Sequence, residues 1–513
     1  MKKYWLVLWS LWAARLVRQP TRPVRVGGGW LRGEVAHDGS HQRYMAVPYA
    51  SHPVKPFMAP GPEPTWQEVY DAIDENVKCP QMQRSSFSGV KECLVLNIYT
   101  PMDATSKKKY PVMFFIHGGA YFEGSGNRAL YSAEHLVKKG VVVVSINYRL
   151  NIQGFACLRI KEAPGNAALK DQVAALKWVQ RNIEVFGGDP NSVTIFGESA
   201  GAASVSFHVV SPMSKGLFHK AILQSGSSLA SWAIQFKPIY MASLLTKAMG
   251  YSTEDPYEIY NILSEKSDED LVSTKVPRKK NNVIVSEVLY TPCVEHEIDD
   301  VEAFLTEIPY DLLSKGQYSK VPILIGMNNE EGLLFAHLED DTKIPNIMLE
   351  KSLPKNLELP EEKRKEIAEN LKRFYNNNND ENISENDLVA ISRFEGDAFM
   401  SVSILEEIEL YLKTNDKPVY SYLFSYEGLR NFPKKILRKE LRNVPGATHA
   451  DELFYLFSIP GVPNLDPTPE VSDLLPVKWL PANKTNPHSL VIDKEFSTTP
   501  LWTSESLIYL RDF

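Results

Sequence analysis

The chain is predicted to fold as an α/β protein, with a mostly parallel central sheet flanked by helices and carrying large helical insertions. Two observations lead there. From about residue 95 to 230, short apolar runs alternate with longer amphipathic ones, the order in which strand and helix follow each other in a parallel sheet. The short runs are also apolar throughout rather than at every second residue, as in strands buried on both faces.

Val112–Ile116, Val141–Ile146, Val193–Phe196 and Ala221–Gln224 are the strands this pattern predicts. Between the second and third, Leu169, Val173, Leu176, Val179 and Ile183 recur at helical spacing. Gly165-Asn166 opens that helix and Gly187-Gly188-Asp189-Pro190 stops it. Val321–Ile325 and Val419–Phe424 are later strands of the same sheet. The segment 232–315 reads as mostly helical and charged, with a basic loop at Arg278-Lys279-Lys280. A second helical insert covers about 340–415 and contains the run Tyr375-Asn-Asn-Asn-Asn-Asp380, a solvated loop by composition. With no internal repeat and no separating linker, residues 23–513 are expected to form a single domain.

Residues 1–18 are expected to be a signal peptide. Lys2 and Lys3 precede an apolar stretch from Tyr4 to Ala14, followed by Arg15 and Arg18. A membrane-spanning helix needs about 20 apolar residues, so no stable membrane anchor is expected. Secretion follows; the alternative is a cytoplasmic protein with a greasy N-terminal tail. Two glycosylation sequons begin at Asn382 and Asn483. The 513 residues carry a formal charge of −7, which argues against a nucleic-acid partner. The four cysteines show no spacing suited to a metal site, and no metal or organic cofactor is expected.

The chemistry is carried by Gly197-Glu198-Ser199-Ala200-Gly201, a G-x-S-x-G pentapeptide. Chance alone would supply such a match about once in five chains of this length, so its setting matters more. A strand runs directly into it and a helix-forming stretch, Ala202 onward, leaves it. Strand, sharp turn and helix are what this nucleophile motif of the α/β-hydrolase fold requires. Ser199 is therefore the expected nucleophile. The run Pro111–Ile116 ends in His117-Gly118-Gly119-Ala120. Attack on an ester carbonyl creates an oxyanion that fixed N–H donors must hold. The backbone amides of Gly119, Ala120 and Ala200 are assigned to that hole. His117 precedes the serine, whereas this fold uses the order serine, acid, histidine. It is expected to brace the loop.

Of eleven histidines, only His337, His449 and His488 follow a plausible acid. His449 lies beyond a late strand, in Pro445-Gly-Ala-Thr-His-Ala-Asp451, where a base can hang over the serine. His337 falls in a helical run and His488 near the end, so neither is favoured. The strand Val321–Gly326 leads into Met327-Asn-Asn-Glu330-Glu331-Gly332. Either glutamate could fix the histidine tautomer and stabilise its charged form, and spacing does not separate them.

These residues resemble the type-B carboxylesterases. The stretch from Phe186 to Val205 is similar to that family's serine signature, and Glu92-Cys-Leu-Val-Leu-Asn-Ile-Tyr-Thr-Pro101 resembles its second signature, with Lys91-Glu92 where Glu-Asp is usual. Asn147-Tyr-Arg149, Ala163–Asn166 and Gly446–Leu453 also match, so the likeness runs from about residue 23 onward. It implies a serine carboxylesterase acting on small carboxylic esters, inhibited by organophosphates and carbamates, with Glu331 as the acid. It implies a Cys79–Cys93 disulfide and leaves Cys157 and Cys293 as free thiols. The wording His449-Ala-Asp-Glu-Leu-Phe-Tyr-Leu-Phe457 is most similar to insect general carboxylesterases. Residues 80–92 lack the tryptophan cholinesterases use to bind choline, and Glu198 stands where juvenile hormone esterases usually have Gln. A general, xenobiotic or odorant-type esterase is thus expected. Juvenile hormone esterase is the alternative, and a non-catalytic, neuroligin-like binding protein is the alternative of another class.

Overall fold

The structure is a computed structural model, described for residues 18–512 apart from 54, 84, 343, 345–346, 355–356, 358, 376–387 and 461–478. Its centre is a 12-stranded sheet. In chain order the strands are β1 Gln19–Pro20, β2 Glu34–Val35, β3 His41–Pro48, β4 Val95–Pro101, β5 Tyr110–Ile116 and β6 Val142–Ile146. The remainder are β7 Gly188–Glu198, β8 Lys220–Gln224, β9 Ile323–Asn328, β10 Val419–Phe424, β11 His488–Ile492 and β12 Ser497–Pro500. Across the sheet they lie in the order β1-β2-β3-β4-β6-β5-β7-β8-β9-β10-β11-β12. The strands from β6 to β11 in that order are mutually parallel, and the edges are antiparallel. This is the predicted α/β-hydrolase arrangement.

Why the central strands are apolar at every residue is visible in β5. Val112, Phe114 and Ile116 pack into the main core with Trp178 and Val179 of helix α1, Ala167–Asn182. Phe115 points to the opposite face, where its ring lies 5.0 Å from that of Phe196 and 4.7 Å from that of Phe457. Both faces are covered, so alternation has no place.

The sequence pattern missed the antiparallel edges, β1 to β4 and β11 to β12, whose strands are short or contain polar residues. The segment 232–315 is also less helical than predicted. Helices cover Pro238–Ala248, Pro256–Ser264, Asp268–Ser273 and Pro309–Ser314, but most of 274–308 is irregular. Pro277 and Pro292 interrupt helical hydrogen bonding there. In the second insert, helices Glu361–Tyr375, Leu388–Gly396 and Val402–Thr414 agree with the prediction. The asparagine-rich run after Tyr375 and the sequon at Asn382 lie outside the described residues, as does the predicted signal segment up to residue 17. Among the described residues, no helix is long and apolar enough to cross a membrane.

Cys79 is bonded to Cys93. The expectation of free thiols at Cys157 and Cys293 is corrected: these two form a second disulfide, 136 residues apart. The irregular stretch before 308 returns to the N-terminus of α1. There Asn166 accepts from the Cys293 N–H at 2.9 Å and donates to its carbonyl at 2.8 Å. Beside it, Lys170 and Glu295 make a fully buried ion pair at 2.6 Å. Such pairing depends on long-range packing that no local pattern announces.

Candidate active site

The sequence-predicted oxyanion donors, nucleophile, acid and base follow the carboxyl ends of the parallel strands β5, β7, β9 and β10. Ser199 connects β7 to helix α2, Ala200–Val210. Its backbone has φ 58° and ψ −124°, a conformation that costs a non-glycine residue about 1–3 kcal/mol. The turn is held by the Ser199 N–H donating to the Gln224 carbonyl at 2.9 Å and by the Ala203 N–H donating to the Ser199 carbonyl at 3.0 Å. A side chain at Gly201 would meet the Ile116 carbonyl at 2.0 Å. Only glycine lets α2 pass this close to β5.

Beside this turn, the loop after β5 has three successive residues with positive φ: Gly119 at 104°, Ala120 at 49° and Tyr121 at 66°. The Gly119 carbonyl accepts from the amides of Phe122 and Glu123. Among the described residues the amides of Gly119, Ala120 and Ala200 are engaged by no protein acceptor. His117 braces the loop from within. It is buried, its ring stacks on Tyr148 at 4.4 Å, and the Tyr148 hydroxyl donates to its carbonyl at 2.8 Å. Burial pulls its imidazole down to about 4.

The geometry separates the two candidate acids. Glu331 Oε2 lies 2.6 Å from His449 Nδ1. Its Oε1 accepts from the Ser225 hydroxyl at 2.5 Å and from the Asn328 N–H at 2.7 Å. Glu330 points elsewhere, its carboxyl raised to about 7 by burial; its N–H donates to the Ala447 carbonyl at 3.0 Å. The loops carrying the acid and His449 are tied by further bonds. Asn328 Nδ2 donates to the Thr448 carbonyl at 2.7 Å, the Leu334 N–H of helix α3, Gly332–Leu338, donates to Thr448 Oγ1 at 3.0 Å, and Asn329 Oδ1 accepts from the Ala447 N–H at 2.8 Å. Asp451 accepts from the amides of Thr448 and Lys434.

His449 Nε2 lies 3.1 Å from Glu198 Oε1. No hydrogen bond joins the imidazole to Ser199 Oγ among the described residues. Burial disfavours the imidazolium, but the surrounding Glu198, Glu331 and Glu452 carboxylates outweigh it and hold the ring up to about 9. Burial likewise pushes Glu198 up to about 8, against the pull of His449 and with Glu452 and Glu331 adding to the push. Glu452, raised to about 7 chiefly by burial, accepts from Asn328 Nδ2 at 2.7 Å and Gln224 Nε2 at 3.2 Å. Ser225, Asn328 and Glu452 were not read from the sequence. The one available signal was position, since Ser225 follows directly on the apolar run Ala221–Gln224.

The other candidate histidines lie apart from this cluster. His337 is at the end of α3, where Nδ1 accepts from the Arg438 N–H. His488 begins β11 and is half-buried. The sequon residue Asn483 is exposed in a turn, its side chain accepting from Thr485.

Comparison with known proteins places this cluster in context. Residues 20–475 match the model of the carboxylesterase family. The chain is 34% identical over 462 residues to esterase FE4 of Myzus persicae, covering 86% of this chain and 80% of that one. It is 31% identical over 447 residues to a juvenile hormone esterase of Heliothis virescens, covering 81% and 75%. Among solved structures, juvenile hormone esterase from Manduca sexta, with OTFP covalently attached, superposes with a TM-score of 0.79 at 26% identity, covering 97% of this chain and 98% of that one. With the family model matched over most of its length and a relative 34% identical across 86% of it, the chain belongs to the carboxylesterase family and is a serine carboxylesterase.

Proposed function

We propose that residues 23–513 act as one catalytic domain that hydrolyses small carboxylic esters by two-step acyl transfer, with Ser199, His449 and Glu331 as its triad. The observation that carries this reading is the 2.6 Å contact between Glu331 and His449 Nδ1, beside a serine held at positive φ. Ser199 Oγ attacks the carbonyl while His449 Nε2, exchanging Glu198 for the hydroxyl, takes its proton and passes it to the departing alcohol. Glu331 stabilises the imidazolium. The oxyanion is received by the amides of Gly119, Ala120 and Ala200. Water then repeats the cycle on the acyl-enzyme. Organophosphates and carbamates block the chain by occupying Ser199 as slowly released acyl mimics.

The substrates are general or odorant-type esters. Juvenile hormone esterase is the second reading, favoured by the likeness to two proteins of that name; comparing the hormone with short-chain esters separates the two. The protein is secreted and glycosylated at Asn382 and Asn483, a reading supported by two disulfides, which persist in oxidising compartments. The test is hydrolysis of a short-chain aryl acetate by the parent and by Ser199→Ala. Loss of at least about 10³-fold in rate supports the mechanism. A folded parent no faster than the variant overturns it.

A further inference from the structure

A cavity of about 1050 Å³ opens at the end of the segment that leaves β8 and passes beside Ser199. That segment starts at Gly226, where a side chain would meet the Ser199 carbonyl at 2.2 Å. Five and six residues on, it lines the cavity with Ser231 and Trp232. The Trp232 ring lies 6.3 Å from that of Tyr121, the residue after the proposed oxyanion donors, and its Nε1 donates to the Phe399 carbonyl at 2.8 Å. Trp232 thus links the cavity wall to the loop after β5, and the cavity is at the upper end of the sizes ligand sites take.

Its lining divides by chemistry. The inner wall is apolar: Trp232, Ile234, Val285 and Phe399 are buried. The charged lining is all cationic, Lys237, Lys279, Lys280, Lys351 and Arg364, with no described aspartate or glutamate among the lining residues. Two of the five are already engaged. Arg364 donates to the carbonyls of Glu350, Leu353 and Leu357, and Lys351 lies 3.6 Å from Glu361. Lys237, Lys279 and Lys280 are exposed and make no ion pair among the described residues. On a chain of net charge −7, three unpaired lysines around an apolar hollow are a local reversal of sign, and a cleft lined by one sign of charge concentrates the opposite one. The buried Ser231 hydroxyl, which has no partner among the described residues, adds a polar contact. The basic run Arg278–Lys280, conspicuous in the sequence, thereby acquires a place. Arg278 turns inward to Glu339 at 2.8 Å, and the two lysines after it are left to the cavity.

We infer that this cavity is a specificity subsite for esters that carry an anionic group at the end remote from the scissile bond, with the apolar body on the Trp232 wall and the charge among Lys237, Lys279 and Lys280. The inference rests on the proposed esterase reading and names its substrate class. Lysines suit the task because they meet an anion as mobile point charges and demand no fixed geometry.

The test compares two esters of equal chain length, 4-nitrophenyl octanoate and the 4-nitrophenyl monoester of octanedioic acid, on the full chain and on the triple variant Lys237→Gln, Lys279→Gln, Lys280→Gln. The expected result is a parent that prefers the monoester. The variant loses at least about tenfold of that preference, through KM, with kcat and octanoate hydrolysis unchanged. In the parent, 0.5 M salt erodes the same preference, since exposed charges are screened at that strength. A preference that is absent, or unmoved by the substitutions, overturns the inference while leaving the esterase reading intact. An equal loss on both esters also overturns it, because the lysines would then shape the cavity and not read charge. Should neither ester be hydrolysed, the esterase reading fails, and binding of octanedioate monoester to Ser199→Ala by calorimetry decides the subsite: weaker binding in the combined variant supports it, unchanged binding removes it.

Discussion

His449 is held between two carboxylates, its Nδ1 2.6 Å from Glu331 and its Nε2 3.1 Å from Glu198. The second contact is made by the residue immediately before Ser199, on the nitrogen that the proposed mechanism uses. Glu198 is one of the charges that raise the imidazole to about 9. A general base works only when neutral, so raising it narrows the active range from the acid side. Glu198→Gln removes that charge and keeps the shape. The acid limb of the kcat/KM profile is expected to move to lower pH by about one unit or more, each unit being about 1.4 kcal/mol of differential interaction. An acid limb that stays where it was, measured on a neutral aryl acetate, would show that Glu198 does not govern the base.

Ser225 is the third donor to Glu331, after His449 and the Asn328 N–H. A hydrogen bond to a buried charged acceptor contributes about 1.5–3 kcal/mol. Ser225→Ala is expected to lower kcat about 10- to 100-fold while KM changes little, because Ser225 is fully buried behind Glu331. Stopped-flow acylation rates locate the loss in the chemical step. Restoration by Ser225→Thr would favour hydroxyl donation over packing as the cause.

The features legible in the sequence were those built by neighbours in the chain. The turn at Ser199 shows itself because strand, glycine and helix former are consecutive, and the all-apolar β5 and β7 announce a sheet covered on both sides. Glu331 could be told from Glu330 only by resemblance, since one residue of helical advance decides which carboxylate faces His449. Nothing local marks Glu452 or the Cys157–Cys293 bond, whose partners meet across 124 and 136 residues. The edge strands were missed for another reason: β1, β2 and β12 are 2, 2 and 4 residues long, too short to show a period.

Gly119 tests the oxyanion loop. A side chain there would lie 2.1 Å from the Glu123 carbonyl, and φ is 104°. Gly119→Ala must either flip the Gly119–Ala120 peptide or push the loop out, and in both cases the donors leave their positions. Removing one oxyanion donor typically costs about 10²–10³ in kcat. That loss is expected here with the melting temperature changed by only a few degrees. Full activity in this variant would mean that the loop's amides do not hold the oxyanion.

The Cys157–Cys293 bond closes the longest loop a covalent link spans among the described residues, 136 positions that include β7, Ser199 and β8. In the chain-entropy account such a closure disfavours the unfolded chain by about 5 kcal/mol. The Cys79–Cys93 bond, 14 positions apart, corresponds to about 3 kcal/mol by the same account. Cys157→Ala with Cys293→Ala is therefore expected to destabilise the chain more than Cys79→Ala with Cys93→Ala. The larger loss should fall on the irregular stretch 274–308, which the first bond ties to the segment preceding α1. Calorimetry of both double variants under non-reducing conditions checks the order. Hydrogen exchange then shows whether protection is lost around Asn166 and Glu295 or throughout the chain. The opposite order of melting temperatures would mean that packing around Lys170 and Glu295, and not the covalent link, holds this segment in place.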